Sequence, residues 1–169
     1  LSTLGAYNTD PVVNMNTAIG QYSQFDTYGN KNTSLGTFSL SHLGEGYNNT
    51  VIGAFSNTQN NLDENKFVDE EMFWGGGDDN TSIGSYALSY PRPSDEYRYR
   101  KYYSFNKNTV IGAYSLSGLS ADFPIGIPVV SNGNTAIGYN AGSTFALGSN
   151  NIFIGNNVQL TSPTLSDLI

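Results

Sequence analysis

One five-residue phrase, Asn134-Thr135-Ala136-Ile137-Gly138, returns along the whole chain. It recurs as Asn16 to Gly20, Asn32 to Gly36, Asn49 to Gly53, Asn80 to Gly84 and Asn108 to Gly112, with looser copies at Leu1 to Gly5 and Asn151 to Gly155. A chain that repeats itself buries its core by stacking each copy on the next, and this constrains the fold more than any local propensity. The motif glycines are Gly5, Gly20, Gly36, Gly53, Gly84, Gly112, Gly138 and Gly155, at short intervals except for the long steps to Gly84, Gly112 and Gly138. The short intervals set a unit of about 16 residues, too short for a helical hairpin and suited to one coil of a β-solenoid with two or three short strands.

Inside the motif, Thr and Ile or Leu share one parity and a small residue takes the other, the alternation of a strand. The expected fold is therefore all-β, a parallel β-solenoid (β-roll or β-helix) with very little helix. The larger column, Leu4, Ile19, Leu35, Ile52, Ile83, Ile111, Ile137 and Ile154, is expected to form a core ladder inside the coil, each side chain contributing about 1.5 to 3 kcal/mol when buried. Two residues after the glycine stands an aromatic, at Tyr7, Tyr22, Phe38, Phe55, Tyr86 and Tyr114, expected to stack as a structural ladder. The motif Asn is expected to serve a turn, its side chain bonding nearby backbone. Further glycines at Gly29, Gly44 and Gly148 suggest a second strand in each coil.

Phrases such as Asn134 to Gly142 followed by Ala146-Leu147-Gly148 resemble the head repeats of trimeric autotransporter adhesins of the YadA type, and more closely the Asn-Thr-Ala-Ile-Gly repeats of phage and other viral fibre proteins. The resemblance implies a left-handed β-roll in which three chains pack about a common axis. It places the small column (Ala18, Ser34, Val51, Ser82, Val110, Ala136) against the neighbouring chains and the aliphatic column in the core of each roll. The present unit is longer than that family's, and three long insertions are added.

Residues 1–169 read as one solenoid domain with insertions at 57–79, 90–107 and 117–133. The first is acidic, with Asp63, Glu64, Asp69, Glu70, Glu71, Asp78 and Asp79 beside Trp74, the only tryptophan. A cation site or a carboxylate pair for glycoside cleavage is one reading, but the spacing lacks the alternating ligands of a calcium loop. The second is basic and tyrosine-rich: Arg92, Arg98, Arg100, Lys101 and Lys107 alternate with Tyr90, Tyr97, Tyr99, Tyr102, Tyr103 and Phe105. It can dock on the acidic insertion or present Tyr97, Tyr99, Tyr102, Tyr103, Arg98 and Arg100, with Trp74, as surface contacts for a receptor. The third, around Phe123-Pro124-Ile125, is apolar and suits packing over a solenoid edge or a partner chain.

A net charge of -7 argues against nucleic acid as a partner. The chain has no Cys, and no apolar run reaches the roughly 20 residues of a membrane-spanning helix, so membrane insertion is not expected. His42 is the only histidine, without a catalytic or metal-ligand companion nearby, and no phosphate loop or nucleophile elbow occurs. No catalytic residue, metal or cofactor is expected. The expectation from the repeat and its resemblance is a non-enzymatic, homotrimeric fibre segment on a virion surface or otherwise extracellular. Its partners would be its own copies, other virion structural proteins and a host-surface glycan or protein. A purely structural capsid- or tail-associated protein without receptor contact, a bacterial adhesin head and a polysaccharide-cleaving tailspike are the alternatives.

Overall fold

The structure, a computed structural model, describes residues 15–25, 27–41, 44–60, 77–91, 103–117, 129–143 and 148–159. Among these residues there is no helix. Thirteen short strands follow in chain order: β1 (Thr17–Ile19), β2 (Thr27–Tyr28), β3 (Thr33–Leu35), β4 (Gly44–Glu45), β5 (Thr50–Ile52), β6 (Gln59–Asn60), β7 (Thr81–Ile83), β8 (Tyr90–Pro91), β9 (Tyr103–Ser104), β10 (Thr109–Ile111), β11 (Val129–Val130), β12 (Thr135–Ile137) and β13 (Ile152–Ile154). Every strand of three residues lies in a motif copy. These join as one seven-stranded parallel sheet, β1-β3-β5-β7-β10-β12-β13, each coil of the solenoid adding one strand. The two-residue strands pair separately, β2 with β4, β6 with β8 and β9 with β11, all parallel.

Register is maintained through the stack. Thr17 lies on Thr33, Thr33 on Thr50, Thr50 on Thr81, Thr81 on Thr109 and Thr109 on Thr135, whether or not an insertion separates the two copies. Parts of the segments read as insertions belong to the coils. Asn57 and Thr58 are buried, Gln59–Asn60 forms β6, and Asp78 and Asp79 belong to the coil carrying β7. Tyr90–Pro91 and Tyr103–Ser104 are likewise coil strands, and 61–76, 92–102 and 118–128 lie outside the described residues.

The inward and outward faces of the motif strand are the reverse of expectation. Val51, Val110 and Ala136 are fully buried and Ser34 and Ser82 nearly so, whereas Ile19 is 58% exposed and Ile154 65%. Leu35, Ile52 and Ile111 are also exposed and Ile83 and Ile137 are half-buried. The expected core ladder of Ile19, Leu35, Ile52, Ile83, Ile111, Ile137 and Ile154 is a ladder on the outside of the chain. The interior is too narrow for it. Across the coil, Ser56 Oγ stands 2.8 Å from Ser82 Oγ, and Ser23 hydrogen-bonds Ser34 and Ser39. Walls this close admit only small side chains from the sheet, because Leu40, Leu88 and Leu116 from the following turn already fill the centre. Alternation tells that two columns face opposite ways, and the rule that the larger apolar residue goes inside fails when the other wall supplies the bulk.

The last coil confirms the volume argument. Gly142 occupies the position of Leu40, Leu88 and Leu116, and in the next coil the small column switches to Phe153, which is 1% exposed. A Cβ on Gly142 would sit 3.1 Å from the Phe153 ring. The space given up by one residue is taken by the other.

After each motif glycine the chain turns through a residue with positive φ: Tyr22, Phe38, Phe55, Tyr86 and Tyr114 lie between 53 and 58°. Bulky side chains seldom adopt this region. Here it aims the rings along the stack, with centroids 4.8 Å apart for Tyr22 on Phe38, 5.2 Å for Phe38 on Phe55 and 5.1 Å for both Phe55 on Tyr86 and Tyr86 on Tyr114. Ring stacking at about 0.5–1.5 kcal/mol a pair offsets the backbone cost. The series ends at Asn140, whose amide donates to Asn157 one coil on, while Tyr139 closes edge-on against Tyr114.

Among the described residues one buried side-chain group is unsatisfied. Asn57 stands in the column of Leu40 and Leu88, 1% exposed, and its Nδ2 has no hydrogen-bond partner. Leu40 and Leu88 carry φ of 50 and 52° against 45° for Asn57, so leucine fits this backbone. Asn57→Leu is expected to stabilise the protein by about 1–2 kcal/mol by removing an unpaired amide and extending the apolar column. Urea unfolding of the two proteins side by side measures it, and a loss of stability would count against the assignment.

Candidate interaction face

The motif asparagines build the spine behind the sheet. Asn32, Asn49, Asn80, Asn108, Asn134 and Asn151 are at most 1% exposed. Each carbonyl accepts from the backbone N–H of the next asparagine, as Asn49 N to Asn32 Oδ1 at 2.9 Å, Asn80 N to Asn49 Oδ1 at 3.0 Å and Asn108 N to Asn80 Oδ1 at 3.0 Å. Each amide donates to a carbonyl just upstream of that next asparagine: Asn32 to Gly46, Asn49 to Gly77, Asn80 to Phe105, Asn108 to Ser131 and Asn134 to Gly148. The partners are a full coil away. The expected local turn role is therefore replaced by a ladder between coils. This also corrects the glycine column, which runs Gly29, Gly46, Gly77 and Gly148 rather than through Gly44. Gly29 and Gly148 have φ of 135 and 145°.

A second line of acceptors runs slightly upstream of the spine. Asp78 accepts from Tyr47 N at 2.9 Å, Asn106 from Asp78 N at 2.8 Å and Asn132 from Asn106 N at 2.7 Å, while Asp79 accepts from the amide of Asn48 at 3.0 Å. Two of the acids considered for a cation or catalysis are thus part of the coil stack. Among the described residues no group of three or more His, Cys, Asp or Glu is placed to hold a metal ion.

Held by these ladders, the seven-stranded sheet presents a regular outer face. One column is Thr17, Thr33, Thr50, Thr81, Thr109, Thr135 and Ile152; the other is Ile19, Leu35, Ile52, Ile83, Ile111, Ile137 and Ile154. At about 4.8 Å per strand the face extends about 29 Å. None of its residues is charged, in a chain with net charge -7. The six threonine hydroxyls make no hydrogen bond to another described residue.

Of the surface contacts expected from sequence, Trp74, Tyr97, Tyr99, Tyr102, Arg98 and Arg100 lie outside the described residues, as does His42. Tyr103 lies in β9, in register with Val129. The outward aliphatic column is the feature sequence reasoning assigned to the wrong side. Its signal was present in the serines that follow the glycine corner, Ser23, Ser39, Ser56 and Ser115, whose burial marks a closely spaced interior. Among the described residues no helix is long and apolar enough to cross a membrane. No protein-family model, curated protein or solved structure matches the chain.

Proposed function

We propose that this chain is a non-enzymatic structural segment of a virion tail or surface fibre, built as a homotrimer, that contributes to attachment at a host surface. The observation that carries the reading is the outer sheet face: an uncharged, in-register column of seven Ile or Leu, five of them exposed by more than a third. Lone exposed apolar residues are ordinary, but a contiguous ordered stripe marks an interaction site. A narrow face built from such short strands suits several chains converging on an axis better than two flat slabs. The fold supplies what a shaft needs. Each coil is locked to the next by main-chain, asparagine and aromatic ladders, so successive coils move as one body.

Light scattering gives the first test, with a trimer expected. Ile111→Lys, at the middle of the face, is expected to keep the wild-type circular dichroism and to run as a monomer, since three buried ammonium groups at one height would repel. A wild-type monomer would defeat the trimeric reading. A trimer indifferent to Ile111→Lys would place the interface elsewhere. Attachment is tested separately by applying the assembled protein to a glycan array and to host cells, where absence of any binding would leave a shaft without receptor contact.

A further inference from the structure

We infer that Ile152 sets the axial register between copies of this chain, an inference that rests on the self-assembly reading above. A repetitive interface has a difficulty: six rungs of the outer face are Thr paired with Ile or Leu, so one copy can slide along another by a whole coil and meet nearly identical chemistry. The occupant best suited to this face is a second copy. A copy repeats at the same strand spacing, carries no opposing charge there, and offers threonine hydroxyls that both donate and accept. None of these properties fixes height.

The seventh rung does. β13 places Ile152 in the threonine column, in register with Thr135, and with Ile154 it makes the only wholly aliphatic rung of the face. Ile152 is 40% exposed and Ile154 65%. When copies are level, Ile152 meets Ile152 and every threonine meets threonine. A slip of one coil sets Ile152 against Thr135, leaving a hydroxyl opposite a hydrocarbon wall, and an unmatched polar group at an interface is disfavoured. A single departure from the repeat thus distinguishes the level arrangement from its neighbours.

The test uses the absence of native cysteine. Thr109→Cys protein is mixed with Thr81→Cys protein, and Ile111→Cys with Ile83→Cys, each pair distinguishable by mass and each prepared with Ile152 or with Ile152→Thr. After assembly and oxidation, the ratio of same-rung to one-coil-slipped disulfides is read by mass spectrometry. With Ile152, same-rung products are expected to dominate by at least about tenfold, the equivalent of about 1.4 kcal/mol. With Ile152→Thr, whose fold is checked by circular dichroism, that ratio is expected to fall toward parity. An unchanged ratio in an assembled protein overturns the role of Ile152 while leaving self-assembly intact. A wild-type monomer overturns both, and an assembly that forms no disulfide in either column overturns the role of Ile152 by placing the interface away from this face.

Discussion

Asn80→Leu is expected to destabilise the protein by about 2–6 kcal/mol, a large share of the roughly 5–15 kcal/mol that holds a domain together. The substitution keeps the branching and the number of side-chain heavy atoms and adds apolar surface, so the hydrophobic term alone predicts no loss. The loss comes from groups left behind. Asn80 Oδ1 accepts the backbone N–H of Asn108 at 3.0 Å and also its side-chain amide at 3.1 Å, and Asn80 Nδ2 donates to the Phe105 carbonyl at 2.5 Å. The Asn108 N–H then lies in the interior without its acceptor, costing about 1–3 kcal/mol, and the Phe105 carbonyl and the Asn108 amide each lose one hydrogen bond, at about 0.5–1.5 kcal/mol apiece. Asn16→Leu, at the half-buried first described rung, is expected to cost less. Chemical unfolding of both variants measures the difference, and a central loss below about 1 kcal/mol would mean that the ladder adds nothing to the backbone bonds already linking the coils.

The second large effect is expected at the motif glycines. Gly84 has φ of +137°, a region reserved for glycine, and a Cβ there would lie 2.5 Å from the carbonyl oxygen of Gly112 in the next coil. The contact is backbone on backbone, so no side chain can swing away. Gly84→Ala is expected to cost more than about 3 kcal/mol, combining backbone strain of about 1–3 kcal/mol with separation of two coils. Gly133→Asn is the control. Its φ is +67°, its equivalents in other coils include Asn48 and Asn150, also at positive φ, and the near atom is the end of the Asn150 side chain. Thermal melts should show a sharp drop for Gly84→Ala and little change for Gly133→Asn. Equal effects would show that glycine acts through the unfolded chain and not through close approach.

The repeat made the architecture legible because strand, glycine corner and aromatic turn recur at fixed offsets, and stacking follows from recurrence. The parallel sheet, the scarcity of helix and the Tyr22 to Tyr114 stack were all readable. Which face looks inward was not, because it depends on what the opposite wall contributes. Leu40, Leu88 and Leu116 fill the centre from outside the motif, and nothing within Asn-Thr-Ala-Ile-Gly announces them. The asparagines were misread for a related reason. A side chain that can cap its own turn looks the same in sequence as one that bonds the next coil, as Asn32 does with Asn49 and Asn49 with Asn80, and only the stacked backbone distinguishes them. Of the surface residues expected to touch a receptor, Tyr103 belongs to a coil strand and the others lie outside the described residues.

The register of β5 on β7 has a bearing on how such a chain can change over generations. The step along the chain from Thr50 to Thr81 is longer than that from Thr33 to Thr50, yet both strand pairs are in register residue for residue. The junction between Asn60 and Gly77 therefore accepts additional chain without altering a single rung, and the entropy of a longer loop rises only by about 0.6 kcal/mol per doubling. The longer steps to Thr109 and Thr135 leave register unchanged in the same way. Chain length can be gained at such junctions while the stack keeps its register, so the length of a coil and the pairing of its strand are inherited independently.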